Sequence, residues 1–306
     1  MMLRNKINRD KMDIKKLLIV TYVCTVSCAC SSKKAPLVTP TPPVVSSLLY
    51  SWDFEGNDPL KNLILEDDSP LKNSVTVVAD PLNAANKVMK TVLLKGLDRA
   101  EVSLSASDLK TILYFYADAA KGFRDKGNAM ADATSLGNEI WVSIKILKPQ
   151  EQNTNSIKPC IFQFGPVSNP SFNPPVSSLG FCQLRMRNGI TPTGDDWNWR
   201  VFGANVYTPA TLVVDNNFTK PNYGKWEKFV FHCKYSTATD GVIEVWKDGV
   251  KHINLSGINA VAFNRFRIKW GIYLGIGSAA GSDLTCYFDN MKIAGSNSSY
   301  DAISRD

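Results

Sequence analysis

The chain has 306 residues, 44% of them hydrophobic, and a formal net charge of +7. Six cationic and two acidic side chains lie in residues 1–30, so the rest of the chain carries only +3. Such a mild charge gives no basis for nucleic-acid binding, and we expect no nucleic-acid partner. The length is sufficient for one large domain.

The N-terminal segment is typical of a secretory signal peptide. Lys15 and Lys16 precede an apolar run, residues 17–26, that is far shorter than the about 20 residues of a membrane-spanning helix. The run ends in Ser27-Cys28-Ala29-Cys30, which resembles a bacterial lipoprotein signal, where the first mature residue is a lipid-modified cysteine. We therefore predict a signal peptide over residues 1–30 with lipidation at Cys30. Cys28 is the alternative site, and secretion without an anchor is the alternative fate.

Residues 31–48 are rich in Pro, Ser and Thr and predict a tether, because few of their side chains could enter a core. The tether would hold a domain of residues 49–296 at the bacterial cell envelope, on the outer membrane surface or in the periplasm. Its lipid would be the only membrane contact. Residues 297–306 are predicted to be a C-terminal tail.

Apolar or alternating runs bounded by turn residues recur throughout the domain and predict antiparallel strands. Hairpin turns are indicated by Lys247-Asp248-Gly249, Thr239-Asp240-Gly241 and Arg187-Asn188-Gly189. A helix is expected only over residues 106–116. The fold class is therefore all-β, an antiparallel two-sheet β-sandwich of jelly-roll type. The predicted strands are residues 48–54, 75–78, 90–94, 99–104, 140–147, 160–164, 181–187, 199–202, 211–214, 226–235, 242–246, 266–274 and 286–293.

Four cysteines remain in the domain, and no two of them have the short spacing of a zinc site. Each lies in or beside an apolar strand pattern, where a free thiol behaves as a small buried hydrophobe. We predict buried thiols and leave one disulfide open. The four are Cys160, Cys182, Cys233 and Cys286.

Residues 265–273 separate two chemistries onto two faces of one strand. Because successive side chains point to opposite faces, a cationic row ending in a tyrosine would face outward while an apolar row enters the core. Such a surface favours a polyanion, although a solvated sheet face has the same pattern. The outward row is Arg265, Arg267, Lys269 and Tyr273, and the inward row is Phe266, Ile268, Trp270 and Ile272.

Other strands repeat this division into a polar and an apolar face. The polar positions would form one cationic groove if they shared the concave sheet. They are Arg99, Glu101 and Ser103; Gln183, Arg185 and Arg187; and His232 and Lys234.

Three segments resemble a known family. Residues 225–249, with two tryptophan strands and two Asp-Gly turns, resemble the meander of concanavalin A-like lectin and glucanase sandwiches. Lys269-Trp270-Gly271-Ile272-Tyr273 is similar to the Lys-x-Gly-x-Tyr strand of jelly-roll polysaccharide lyases, specifically the heparin lyase I-like and the glucuronan or alginate lyase groups. Arg99-Ala100-Glu101-Val102 is similar to their Arg-x-Glu-Leu strand.

This resemblance implies β-elimination on an acidic, uronate-containing polysaccharide without a required cofactor. Lys269 and Tyr273 would be catalytic, with Tyr273 transferring protons. The family's Gln-x-His strand appears here as Gln163-Phe164-Gly165, without its histidine. Either Tyr273 performs both proton transfers, His232 substitutes, or activity is lost. The substrate-binding candidates are Arg99, Glu101, Gln163, Arg185, Arg187, Trp197 and Arg267.

Two further features bear on ligands. Trp197 lies among polar residues, 195–200, and an exposed aromatic ring there would stack on a sugar. Asp53, Glu55 and Asp289, in the first and last strands, are candidate oxygen donors for a structural calcium ion.

Two other functions compete with the lyase. A non-catalytic glycan-binding module explains the same cations and tryptophan and is favoured by the missing histidine. A glycoside hydrolase ranks last, because no Glu-x-Asp-x-x-Glu strand supplies paired carboxylates. The sequence does not distinguish sulfated glycosaminoglycan, alginate and glucuronan.

Overall fold

The computed structural model describes residues 48–61, 63–67, 74–104, 115–116, 137–149, 159–167, 181–188, 195–202, 214–236, 238–260, 265–275 and 278–306. These residues belong to one compact unit, Val44–Asp306. The predicted signal peptide, nearly all of the tether, and Cys28 and Cys30 lie outside the described residues. Within those ranges, no helix is both long enough and apolar enough to cross a membrane.

The described residues form sixteen strands and one short helix. The first eight strands are β1 Leu48–Trp52, β2 Leu63–Asp67, β3 Val75–Asp80, β4 Asn83–Leu93, β5 Arg99–Leu104, β6 Phe115–Tyr116, β7 Glu139–Leu147 and β8 Cys160–Val167. They are followed by β9 Phe181–Asn188, β10 Asp195–Phe202, β11 Val214–Thr219, β12 Trp226–Lys234, β13 Val242–Lys247, β14 Val250–Ser256, β15 Arg265–Tyr273, β16 Leu284–Gly295 and α1 Tyr300–Ile303.

The strands form two eight-stranded sheets. In sheet A the order is β14-β13-β12-β7-β16-β4-β3, and β1 also pairs with β16. In sheet B the order is β11-β10-β9-β8-β15-β5-β2, and β6 also pairs with β15. The strand pairs are antiparallel, for example β15 with β5 and β12 with β7. The predicted all-β jelly-roll sandwich is confirmed.

Side chains from both sheets meet in one aromatic-rich core. Phe162 of sheet B stacks on Phe231 of sheet A, with 4.3 Å between ring centroids. Tyr235, which follows β12, stacks on Phe266 of β15 at 3.8 Å. The even-numbered residues of β15 are buried in this core, as predicted, so Arg267, Lys269 and Tyr273 face away from it.

The structure corrects several predicted elements. Strands β2 and β14 were not predicted, and β11 begins where the predicted strand 211–214 ends. The predicted helix over residues 106–116 is wrong at its end, because Phe115 and Tyr116 pair with β15 as a strand. Residues 106–114 lie outside the described residues.

The last residues, predicted to be a C-terminal tail, pack on the outer face of sheet A. Ser299 caps α1, and Ile303 is buried against this face. Tyr300 contacts Trp246, with ring centroids 5.0 Å apart. The Asp306 carboxylate accepts from Lys228 at 2.8 Å and lies 3.1 Å from Lys145.

Local predictions were more accurate for turns and thiols. Asp248 and Gly249 have positive φ angles, 49° and 87°, and close the β13–β14 hairpin as predicted. Cys160, Cys182, Cys233 and Cys286 are buried and not in disulfides, which confirms the prediction of buried thiols.

Candidate functional site

The candidate site lies on the face of sheet B that points away from the core. Here β15 is flanked by β5 and β8. Lys269 is opposite Ser103 of β5 and Gln163 of β8, and Tyr273 is opposite Arg99. The Arg99–Val102 motif and the Lys269–Tyr273 motif therefore lie on adjacent strands, and their polar side chains share one surface.

Gly271 lies between Lys269 and Tyr273 and permits a close approach of the two strands. Its φ is +134°, which is unfavourable for residues with a side chain. A Cβ atom there would lie 2.3 Å from the carbonyl oxygen of Ala100 and 2.7 Å from the Cα of Glu101. The glycine thus brings Glu101 up to the strand that carries the lysine and tyrosine.

Glu101 is fully buried at the base of the site, with 0% exposure. Gln163 donates a hydrogen bond to its Oε1. Oε2 lies 3.8 Å from Arg99 Nε and 3.9 Å from Lys269 Nζ, without a hydrogen bond within the described part of the chain. Burial raises the pKa of Glu101 to about 7, although Lys269 and the hydrogen bond from Gln163 act in the opposite direction. A proton can therefore be bound or released here near neutral pH.

Sequence analysis missed a second carboxylate, Glu66, which is opposite Glu101 on the edge strand β2. It accepts hydrogen bonds from Lys269, from Ser103 and, at 3.0 Å, from Arg267. Burial alone would raise the pKa of Glu66, but the charges and hydrogen bonds of Lys269 and Arg267 lower it. The cationic row predicted from β15 is therefore paired with an internal carboxylate.

The lysine is the most deeply buried cation of this group, with 4% exposure. Burial and repulsion from Arg267 lower the pKa of Lys269, and the attraction of Glu101 and Glu66 offsets them only in part. Buried and held from two sides, Lys269 is a fixed positive charge beneath the surface of the site.

The arginines and the tyrosine form the outer layer. The side chains of Arg99 and Arg267 are each 25% exposed, and Tyr273 is half-buried. The Arg99 guanidinium lies over the Tyr273 ring, 4.6 Å from its centroid. Burial would lower the pKa of Arg99, but attraction to Glu101 and the hydrogen bond with Tyr273 raise it overall. These three residues are the ones a ligand would meet first.

The same face continues over β9, β10 and β11. Gln183 donates to Gln163 at 3.5 Å, and Arg185 is half-buried beside it. The Arg187 backbone pairs with β10, while its side chain lies outside the described residues. Asn198 donates to Asp215 and Asn217, both at 2.8 Å. This end of the surface thus carries amides and carboxylates as well as cations.

The structure separates His232 from the site, which corrects the prediction that it joins the proton-transfer residues there. It lies in β12 of sheet A, on the outer face. Glu244 and Glu139 hold its two ring nitrogens at 2.7 and 2.9 Å, and Trp141 stacks on the ring at 3.8 Å. The alternation of β12 correctly predicts that His232 lies on a polar face, but this face belongs to sheet A and the site belongs to sheet B.

The prediction that Trp197 is an exposed sugar-stacking residue is wrong. Its side chain has 0% exposure and packs against Phe229 in the core. The indole Nε1 donates to the buried Glu227 at 2.9 Å, and Lys247 lies 2.8 Å from the same carboxylate. The polar neighbours of Trp197 in sequence belong to the opposite face of β10.

The sequence matches the model of a known protein family. A model of the polysaccharide lyase family matches residues 72–292, well over half of the chain and all of the strands that form the site except β2. The chain belongs to this polysaccharide lyase family. A comparison with curated proteins finds no match.

Several solved structures of other lyases are similar to this member of the polysaccharide lyase family. The endo-β-1,4-glucuronan lyase of the fungus Trichoderma reesei has a TM-score of 0.54 at 12% identity, covering 81% of this chain and 96% of its own. The alginate lyase of Aplysia kurodai scores 0.49 at 11% identity, covering 82% and 100%. That of Chlorella virus scores 0.48 at 12% identity, covering 81% and 99%. The chain therefore shares its fold with the glucuronan lyase.

The candidate calcium donors do not form a metal group. Asp53 accepts from the backbone of Glu55 at 3.1 Å, Glu55 accepts from the backbone of Lys87, and Asp289 accepts from Asn86 at 3.2 Å. Across the described ranges, no three His, Cys, Asp or Glu residues are grouped so that they could hold a metal ion. A calcium ion bound by these residues stays a prediction.

Proposed function

We propose that the protein cleaves an acidic, uronate-containing polysaccharide by β-elimination. The observation that carries the proposal is the pairing of β5 with β15, which puts Arg99 against Tyr273 on the same face of sheet B as Arg267 and Lys269. A carboxylate-binding surface and a proton-transfer group thus lie on one face of sheet B.

Elimination requires three events. The negative charge of the uronate carboxylate is stabilised, which acidifies the proton on the adjacent carbon. A base removes that proton, and its electron pair forms a carbon–carbon double bond as the bond to the glycosidic oxygen breaks. The departing oxygen then takes up a proton. No water is added, so the product is an unsaturated uronate.

The site residues divide these tasks by their depth. Arg99 and Arg267 are exposed enough to bind the carboxylate directly, and Lys269 lies below them as a fixed charge. Tyr273 is the proton-transfer residue, because its hydroxyl belongs to the same surface and no histidine accompanies it. Gln163 acts indirectly, since it hydrogen-bonds Glu101.

Family membership supports the reaction, and the motifs support the substrate class. Cleavage of polysaccharides by lyases is what the family name describes. The glucuronan lyase with the same fold acts, by its name, on a polymer of glucuronate. The heparin lyase I-like relationship is supported by the Lys269–Tyr273 and Arg99–Glu101 segments.

We further propose that the enzyme acts at the bacterial cell envelope. The N-terminal apolar segment and Cys30 support a lipid anchor, and the tether would hold the domain away from the membrane. Two measurements test the lipid anchor. One asks whether globomycin blocks cleavage of the signal peptide, and the other is mass spectrometry of the mature N-terminus. An unmodified Cys30 in the secreted protein would refute the anchor.

The test of activity is the ultraviolet absorbance of unsaturated uronate. Purified mature protein, residues 31–306, is incubated with heparin, heparan sulfate, hyaluronan, alginate and glucuronan. New absorbance with one glycan supports elimination and identifies the substrate class. Tyr273→Phe should abolish it, whereas Tyr287→Phe, in sheet A, should not.

A glycan-binding protein without catalysis is the second candidate. It is favoured by one observation: Gly165, opposite Arg267, stands where the family resemblance implies a histidine, and His232 is in the other sheet. Salt-sensitive binding of a glycan that yields no absorbance would support this reading. Turnover that is lost in Tyr273→Phe while binding persists would refute it.

A further inference from the structure

Glu66 is the most highly coordinated carboxylate of the site. Its Oε1 accepts from Ser103 and from Arg267 Nη1, and its Oε2 accepts from Lys269 and lies 3.5 Å from Arg99 Nη1. Both oxygens therefore face the cations that the proposed reaction assigns to the substrate.

These contacts are those that a bound uronate carboxylate would need. Two oxygens meeting a guanidinium and an ammonium form strong charge-assisted hydrogen bonds. The Glu66 side chain is 13% exposed, so it lies beneath the outer edges of the two arginines rather than outside them. The Nε atoms of Arg99 and Arg267 are buried without a hydrogen bond within the described residues, so the guanidiniums are not saturated by Glu66.

We propose that Glu66 acts as an internal competitor for the glycan carboxylate and so sets the affinity of the site. This inference rests on the proposed function, because it concerns the same site. Glu66 draws Arg267 and Lys269 toward β2 and adds a negative charge that opposes an incoming anion. It thereby keeps the affinity for carboxylated glycan low and limits its dependence on salt.

The cluster can lose this carboxylate and still fold. Glu66 lies on a five-residue strand at the edge of sheet B, so no other strand depends on β2 for its place in the order. Lys269 would retain Glu101 as a counter-charge at 3.9 Å. Glu66→Gln preserves the size of the side chain, removes its charge and replaces one of its two accepting oxygens with an amide NH2 group. The site of the variant should therefore be more positive than that of the wild type.

The test compares the wild-type protein, Glu66→Gln, Glu66→Asp and Glu139→Gln as the mature full-length chain. Glu139 is a matched control because it is a half-buried carboxylate on the outer face of sheet A. Binding of uronate oligosaccharides is measured by calorimetry over a range of salt concentrations. Thermal stabilisation by inorganic sulfate provides a second readout that needs no glycan.

For Glu66→Gln we expect about tenfold tighter binding, a similar fall in KM and a steeper salt dependence. Sulfate should stabilise this variant more than the wild type. Glu66→Asp should restore weak binding, and Glu139→Gln should behave as the wild type. Equal or weaker binding with an unchanged response to sulfate would overturn the inference, because Glu66 would then only support Lys269.

The two proposals fail in different ways. If the wild-type protein neither cleaves nor binds a uronate glycan, the proposed function fails, and the sulfate measurement still tests whether Glu66 competes with anions. If the wild-type protein cleaves glycan but Glu66→Gln binds no tighter, only the role of Glu66 fails.

Discussion

Replacing Glu101 with glutamine should stabilise the protein at neutral pH while impairing its site. The folded protein raises the pKa of this carboxyl group from 4.5 to about 7, chiefly through burial. The neutral form is therefore favoured in the folded state, and the free energy of unfolding falls as pH rises through this interval. The pKa difference corresponds to about 3 kcal/mol, which glutamine, having no charge, would not lose.

The assay is urea denaturation of wild-type protein and Glu101→Gln across the pH range. Well below pH 4.5 the glutamate is neutral in both the folded and the unfolded protein, so the difference in unfolding free energy from the variant there reflects packing and hydrogen bonds. By about pH 8 the difference should have shifted by about 3 kcal/mol in favour of the variant. Glutamine keeps an oxygen to accept from Gln163, so this contact is matched.

Glu244→Gln is the control, with the opposite sign. Burial would raise the pKa of Glu244, but hydrogen bonds from Lys251 and His232 lower it overall. Its stabilising contribution is therefore present above the ordinary pKa and is lost as pH falls, so its variant should be less stable than wild type at neutral pH. A difference for Glu101→Gln that does not change with pH, or that changes in favour of the wild type, would refute the argument that burial dominates at Glu101.

Three further changes test the packing that positions the site. Gly271→Ala should destabilise the protein by more than about 3 kcal/mol in urea denaturation, because the new Cβ meets the carbonyl oxygen of Ala100 at 2.3 Å; an unaffected midpoint would contradict the close approach. Trp197→Phe should cost about 2 kcal/mol by removing the hydrogen bond to buried Glu227, and wild-type stability would mean that this contact contributes nothing. Ile303→Ala should cost about 3 kcal/mol if α1 is part of the folded domain, whereas an unchanged melting temperature would mean that it is not.

Strands with clear alternation were predictable together with the faces of their side chains. Both β5 and β15 place their charged and apolar residues as the sequence indicates. Two neighbouring residues of opposite character are enough to define a face, since the strand period is two. The motif residues Arg99, Lys269 and Tyr273 could therefore be found before their pairing was known.

Glu66 could not be found in this way because its strand gives a weak signal. Only Leu63, Ile64 and Leu65 form an apolar run before the acid, and an edge strand needs no regular alternation. Its importance arises from the register of β2 with β5, which is a long-range property. The sequence therefore predicted an outward row of cations on β15 without their counter-charge. A local pattern of residues gives no information about a carboxylate on another strand.

The predictions for His232 and Trp197 were wrong for a related reason. Alternation assigns a side chain to one face of its strand but does not say which sheet the strand joins or what covers that face. His232 alternates correctly and belongs to sheet A, where carboxylates from β7 and β13 bind it. Trp197 has polar neighbours in sequence, yet Glu227 from β12 satisfies its indole within the core.

The buried thiols of Cys182 and Cys233 can be used to measure how often the two sheets separate. Cys182 comes from sheet B and Cys233 from sheet A, and the two interact across the core. Burial raises the pKa of the Cys233 thiol well above its ordinary value, so the reactive thiolate is scarce while the sheets are together. A maleimide can reach these sulfurs only when the sheets part. The rate of labelling therefore measures the frequency with which the core opens. In an oxidising compartment, the same burial between the two sheets would protect both thiols from oxidants.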